Sequence, residues 1–244
     1  MISDILKAFQ ETDMAATAPK YECKYCGNKF ARETTLLNHV CERKRRYQQE
    51  KEKGVQFGLI AYHEFYKMTQ NTKPRNYDDF VDSPYYTAFV KFGRYCVEIR
   101  CINFLSFASW LLKNNKKIDY WCSDRLYEEW LFQYLRTEDA QDALERGIKE
   151  ITEYAEENPE LKNGYKDYFR YGNSNRILHH IATGRVSPWL LYNCDSGIDF
   201  LSNLTDDQVA MVIKWVDPDY WQSKFKDSRA DTKWTRDILT QAGL

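Results

Sequence analysis

The sequence predicts a mainly helical protein carrying one short Cys/His-bearing unit near its N-terminus. Three observations predict this. Apolar residues recur at helical spacing through most of the chain, while strict alternation of the kind a half-buried strand needs is scarce. Helix-opening devices recur too: Ser83-Pro84, Ser187-Pro188 and Asp217-Pro218 each put a capping side chain before a proline at the first helical position, and Thr205-x-x-Gln208 reads as a capping box. The third is the stretch Tyr21–Cys41, YECKYCGNKFARETTLLNHVC, whose spacing follows a different logic from the rest.

The elements follow in order. Ile2, Ile5, Leu6 and Phe9 mark an amphipathic helix over Ile2–Ala16, with Ser3 as a possible cap, and Thr17-Ala18-Pro19 reads as a linker. After Cys41 a strongly charged run has no helix breaker before Gly54, so the helix or a stiff linker is expected to continue through it. Val55–Gln70 has an apolar face of Phe57, Leu59, Ile60, Phe65 and Met68, and 71–76 reads as a loop. Phe89–Leu112 is expected as the central buried helix, with an interruption, if any, near Gly93. Ser123–Leu135 and Thr137–Glu157 follow, the latter with a stripe of Ala140, Leu144, Ile148 and Ile151 that stops at Asn158-Pro159. Shorter helices are expected over 174–182, 188–192, 197–204 and 231–241.

In the unusual stretch, Cys23 and Cys26 are two residues apart, His39 follows Cys26 after twelve, and Cys41 lies two beyond His39. A Cys-x2-Cys turn presents two thiolates to one point, and Gly27 supplies the permissive backbone behind it. Phe30 and Leu36 fall where so small a unit needs its apolar plugs. This spacing closely resembles the Cys2His2 zinc finger. The resemblance implies a β-hairpin and a helix around one Zn²⁺, without which so small a core does not fold. The chain departs from the family at the last ligand, expected three to five residues after the first His, where Arg43, Lys44, Arg45 and Arg46 lie instead. Cys41 is the candidate, giving Cys23, Cys26, His39 and Cys41 as the metal set; a site completed by water is the alternative. Residues two apart on a helix point to nearly opposite sides, so the finger helix is expected to unwind or tighten at Val40. The fold class is thus mainly α: an N-terminal ββα finger followed by an all-α domain. The expected division is 1–19 helix and linker, 20–53 finger and charged extension, and 54–244 helical domain.

The resemblance also places Arg32, Thr35 and Asn38 where fingers that read DNA contact bases. Arg suits guanine and Asn suits adenine. The cations Arg43, Lys44, Arg45 and Arg46 could meet phosphates. Between Lys20 and Lys53 there are ten Lys/Arg against five Asp/Glu, whereas Glu138–Glu160 holds nine acids against two bases, on a chain of formal charge −1. The expectation is a nucleic-acid-binding finger, for DNA or RNA, with the helical body binding a protein partner. The competing reading is an interaction or assembly factor whose finger binds protein. Cys96, Cys101, Cys122 and Cys194 lie among apolar residues and read as reduced and buried. No signal peptide and no apolar run of spanning length appears, which favours a soluble intracellular protein.

Enzyme motifs are missing. His63-Glu64 lacks the second His of a metalloprotease helix, and Asp195 and Asp199 lack the remaining ligands of a calcium loop. His179-His180, near Arg176, Arg185 and Ser187, could form an anion site, but one core and one exposed histidine is the simpler expectation. Finally, CERKRRYQQEKEKGVQFGLIAYHEFYKMTQ and GRVSPWLLYNCDSG resemble stretches of uncharacterised zinc-finger proteins of T4-type tailed bacteriophages. That resemblance carries no known activity. It implies expression in the cytoplasm of an infected bacterium and a role in phage DNA metabolism, transcription or assembly.

Overall fold

A computed structural model of the protein describes residues 20–71 and 76–244. The helix expected over Ile2–Ala16, its Ser3 cap and the linker after it lie outside the described residues. The protein is mainly α: a two-stranded hairpin opens it and an all-helical body follows. Its described residues divide into two compact units, the first ending at Cys122 and the second running from Ser123 to Leu244.

The first unit begins with β1 (Tyr21–Glu22) and β2 (Lys29–Phe30), then α1 (Glu33–Asn38), α2 (Glu42–Gln48), α3 (Lys53–Gln70), α4 (Tyr77–Val81), α5 (Tyr86–Glu98) and α6 (Phe104–Lys113). The charged run does not continue as one helix. It stops at Gln48, and α3 starts again at Lys53. The centre of the unit is the crossing of α3 and α5. Gly54 and Gly58, four apart, put a Cβ-free strip on one side of α3, and Gly93 faces it from α5. A Cβ on Gly93 would lie 2.0 Å from the Gly54 carbonyl oxygen. Gly93 is therefore the point of backbone contact between two helices. It is not an interruption.

Aromatic rings fill the space around that contact. Tyr62 meets Phe89 edge-on at 5.6 Å, and Phe92 meets Trp121 at 5.0 Å and Phe107 at 5.7 Å. The single helix expected over Phe89–Leu112 breaks at 99–103. Arg100 takes a left-handed conformation (φ 52°), and the Cys101 and Arg100 amides bond back to the Cys96 and Val97 carbonyls at 2.9 and 3.1 Å, which closes α5. Asn103 then caps α6 by accepting from the Ser106 amide at 3.0 Å.

The second unit holds α7 (Asp124–Thr137), α8 (Ala140–Glu157), α9 (Tyr168–Tyr171), α10 (Ser174–Ala182), α11 (Pro188–Leu191), α12 (Asp195–Ser202), α13 (Asp206–Val216), α14 (Pro218–Asp227) and α15 (Arg229–Ala242). The caps read from the sequence open several of these. Ser187 opens α11, Asp217 opens α14, and the Thr205–Gln208 box opens α13 with both of its reciprocal bonds. One part of the core packs Trp189 and Trp221 on Ala140 and Ala143.

This unit also buries charge. Glu138, with a fully buried side chain, pairs with Arg146 at 2.7 Å and accepts from the Ser187 hydroxyl at 2.9 Å. Burial still holds its carboxyl above the usual range, against the pull of Arg146 and Ser187. His179 is exposed and His180 is buried, bonded to Tyr168 through Nδ1 at 2.8 Å. Arg185 faces Glu150 at 3.6 Å. These groups form a buried structural network in which Arg185 meets a carboxylate of the chain itself.

Candidate metal centre

The hairpin pairs Tyr21 with Phe30 and Glu22 with Lys29 in antiparallel register. Its turn folds on itself: the Cys23 amide donates to the Asn28 carbonyl at 2.9 Å and the Gly27 amide to the Cys23 carbonyl at 2.8 Å. Gly27 takes φ 72°, a conformation that costs glycine little and strains other residues. This turn brings the Cys23 and Cys26 thiols to one side.

The other pair of donors depends on where α1 stops. The helix ends at Asn38, and His39 is already extended (φ −69°, ψ 120°). Cys41 is extended as well (φ −108°, ψ 159°) and serves as the N-cap of α2, its sulfur accepting from the Lys44 amide at 3.4 Å. The expected unwinding is present, one residue earlier than the sequence placed it. Ending at Asn38 frees both His39 and Cys41 from helical spacing, so both can turn to the same side.

The result is a cluster of Cys23, Cys26, His39 and Cys41 whose donor atoms all lie within 4.8 Å of one another. Cys26 Sγ is 3.3 Å from His39 Nε2. A tetrahedral site with metal–sulfur bonds of about 2.3 Å and metal–nitrogen bonds of about 2.0 Å has donor–donor edges of about 3.5–3.8 Å, so small adjustments suffice. Phe30 packs its ring on His39 at 4.8 Å and fixes the imidazole from behind.

The protonation tendencies diverge within the cluster. The Tyr25 backbone amide lowers the Cys23 thiol. The Asn28 amide pulls the Cys26 thiol down, but burial and its Cys23 and Cys41 neighbours outweigh it, so Cys26 is raised. The neighbouring Cys23 and Cys26 thiols resist ionising together unless a cation lies between them. Three sulfurs and one imidazole form a donor set suited to a soft or borderline divalent ion and poorly suited to magnesium or calcium.

The finger's outer face carries Arg32, Thr35 and Asn38, all exposed. Thr35 and Asn38 border a shallow hollow of about 440 Å³ that reaches Phe30 and His39. The basic run is arranged differently. Arg43 donates to the Tyr25 carbonyl at 3.1 Å and pairs with Asp82 at 3.0 Å. Lys44 Nζ donates to the His39 carbonyl at 3.1 Å. Arg46 bonds Glu42 and the Val81 carbonyl, and its guanidinium lies 4.3 Å from the Tyr86 ring centroid. Arg45 pairs with Glu42 at 2.8 Å and is the exposed member of the four.

The partners of this run are distant in sequence. Asp82, Val81 and Tyr77, whose hydroxyl donates to the Arg46 carbonyl at 2.9 Å, lie thirty or more positions away, and no local spacing announces them. A row of rings, Tyr25 to Tyr47 at 5.2 Å and Tyr47 to Tyr77 at 5.6 Å, completes the attachment of the finger to α4. No family model matches the chain, and no curated protein or solved structure is significantly similar to it.

Proposed function

We propose that the protein holds one Zn²⁺ through Cys23, Cys26, His39 and Cys41 and uses the finger to bind nucleic acid, DNA in the first place. The observation that carries this reading is the convergence of three sulfurs and one imidazole beneath an exposed Arg32, Thr35 and Asn38. Zinc is the ion that closed Cys3His sites of this size take, and it supplies folding free energy. Arg32 and Asn38 then have the chemistry to read guanine and adenine, over about three base pairs. Phosphate contact falls to the exposed cations Lys20, Lys29 and Arg45, the last paired only with the exposed Glu42 of its own helix, whereas Arg43, Lys44 and Arg46 are tied to the Tyr25, His39 and Val81 carbonyls. In this reading the helical body carries a protein partner, and the activity would serve phage transcription or DNA metabolism, as the resemblance of the sequence implies.

Metal analysis and a salt-titrated binding assay test the proposal together. The purified protein should hold about one zinc per chain. DNA and RNA should bind in a zinc-dependent, salt-sensitive way, and Arg32→Ala or Asn38→Ala should shift base preference by about 1–3 kcal/mol at the matched position. Binding that is indifferent to chelation, or absent at micromolar protein, sinks the reading. Leu37 and Val40, exposed at 68% and 72%, favour a second one, in which the finger grips a protein through apolar contact. Leu37→Asp would then abolish partner capture and leave any nucleic-acid binding untouched.

A further inference from the structure

The last two helices of the second unit border an open hollow of about 470 Å³. Lys226 reaches it from α14, and Arg229, Lys233 and Arg236 from α15. Its one carboxylate is Asp237, held by Lys233 at 2.7 Å. Arg229 donates to the Lys226 carbonyl at 3.2 Å and Arg236 to the Asn193 side-chain oxygen at 3.0 Å, both neutral acceptors. Among the described residues no carboxylate pairs with Lys226, Arg229 or Arg236. The lining thus carries four cations against one anion on a chain whose formal charge is −1.

The arrangement is linear. Arg229, Lys233 and Arg236 are spaced i, i+4, i+7, on one face of α15. Asp231, two positions from both Arg229 and Lys233, lies on the other side of the helix, where it does not quench them. The stripe is about 10 Å long at 1.5 Å per residue, against an axial rise of about 3.4 Å per phosphate on one strand of a duplex. The hollow is open, and its four cations are exposed, so nothing encloses a lone small anion. A line of exposed charge suits a polymeric one.

We propose that this hollow is a phosphate-binding surface that takes the sugar–phosphate backbone of a nucleic acid without reading its bases. The inference rests on the same nucleic-acid reading as the finger, but on residues of the other unit. It assigns the two units different tasks: the finger selects sequence, and α14–α15 add affinity that does not depend on sequence.

The test uses the full chain loaded with zinc and labelled duplex and single-stranded DNA, titrated over a range of salt. The variants are Lys226→Gln/Arg229→Gln/Lys233→Gln and, separately, Cys23→Ser. Circular dichroism and the thermal midpoint check the fold. The triple variant should bind every sequence more weakly, and the slope of log affinity against log salt should flatten by about 2–3, at about 0.9 per duplex phosphate contact. Should it fail to fold, Lys226→Glu alone reads the same slope with a change of about 1. An unchanged slope and affinity overturn the inference while leaving the finger reading intact. Loss in the triple variant with Cys23→Ser unaffected sustains the inference and sinks the finger reading. Failure of the wild-type protein to bind either DNA form overturns both.

Discussion

The finger and the helices it is attached to solve the same problem with different means. Between Lys20 and Lys53 a single residue, Cys23, is fully buried. In α3, α5 and α6, by contrast, Val55, Ala61, Phe89, Phe92, Phe107 and Leu111 are almost wholly removed from water, and the backbones touch at Gly54 and Gly93. The helices exclude water with apolar surface, at about 25 cal/mol per Å². The finger has too little such surface and offers four donor atoms in its place. Where a segment cannot bury enough, coordination has to supply the free energy, so the two parts should respond to entirely different perturbations.

Metal removal is the largest of these. Apparent binding free energies of structural zinc in finger peptides are about 10–16 kcal/mol, so chelation or Cys23→Ser should unfold residues 20–41 outright. Hydrogen exchange should show that stretch fully exchanging while α3, α5 and α6 stay protected. Joint loss of protection would mean that one cooperative unit spans both, and the contrast would be broken. Next in size, Phe89→Ala deletes a fully buried ring and should cost the helices about 3–5 kcal/mol in urea unfolding. The zinc content of the folded protein should be unaffected.

Gly93→Ala should cost about 1–3 kcal/mol, since α3 and α5 must move apart to admit a methyl group. A neutral result would show that the crossing tolerates separation. The smallest effect belongs to the attachment itself. Arg43→Ala removes a partly exposed ion pair with Asp82, worth about 1 kcal/mol or less. Global stability should hardly change, while hydrogen exchange around Tyr25 and α2 should quicken. A large loss of stability from this variant would make the finger part of the helical core.

The same contrast explains what the sequence disclosed. The donor set was readable because metal coordination ties residue type to spacing within a few turns of chain. Ser187, Thr205 and Asp217 were readable because a cap acts on amides two or three residues away. Gly93 was not, because its role depends on Gly54, which no local pattern connects to it. The break at 99–103 was hidden for a related reason: Arg100, a residue with no preference for the left-handed region, ends α5 there. Asp82 and Val81, which bind Arg43 and Arg46, lie at the end of α4, far along the chain, so a run that reads as free positive charge is largely committed within the chain. The cations lining the hollow of α14 and α15 were present at regular spacing, but their convergence depends on how the two helices pack.

Cys41 belongs to two structures at once, as a donor in the cluster and as the first residue of α2. With His39 closing α1, only Val40 separates the last donor of one helix from the first of the next. An ion gripped by both would act as the pin of a hinge, with the direction of α2 fixed by bond lengths at the pin. A larger ion, with longer bonds to sulfur, would swing α2 about that pivot. The swing would strain Arg43 against Asp82 and Arg46 against Val81. The identity of the ion would then be legible some distance away, in how firmly α2 rests on α4.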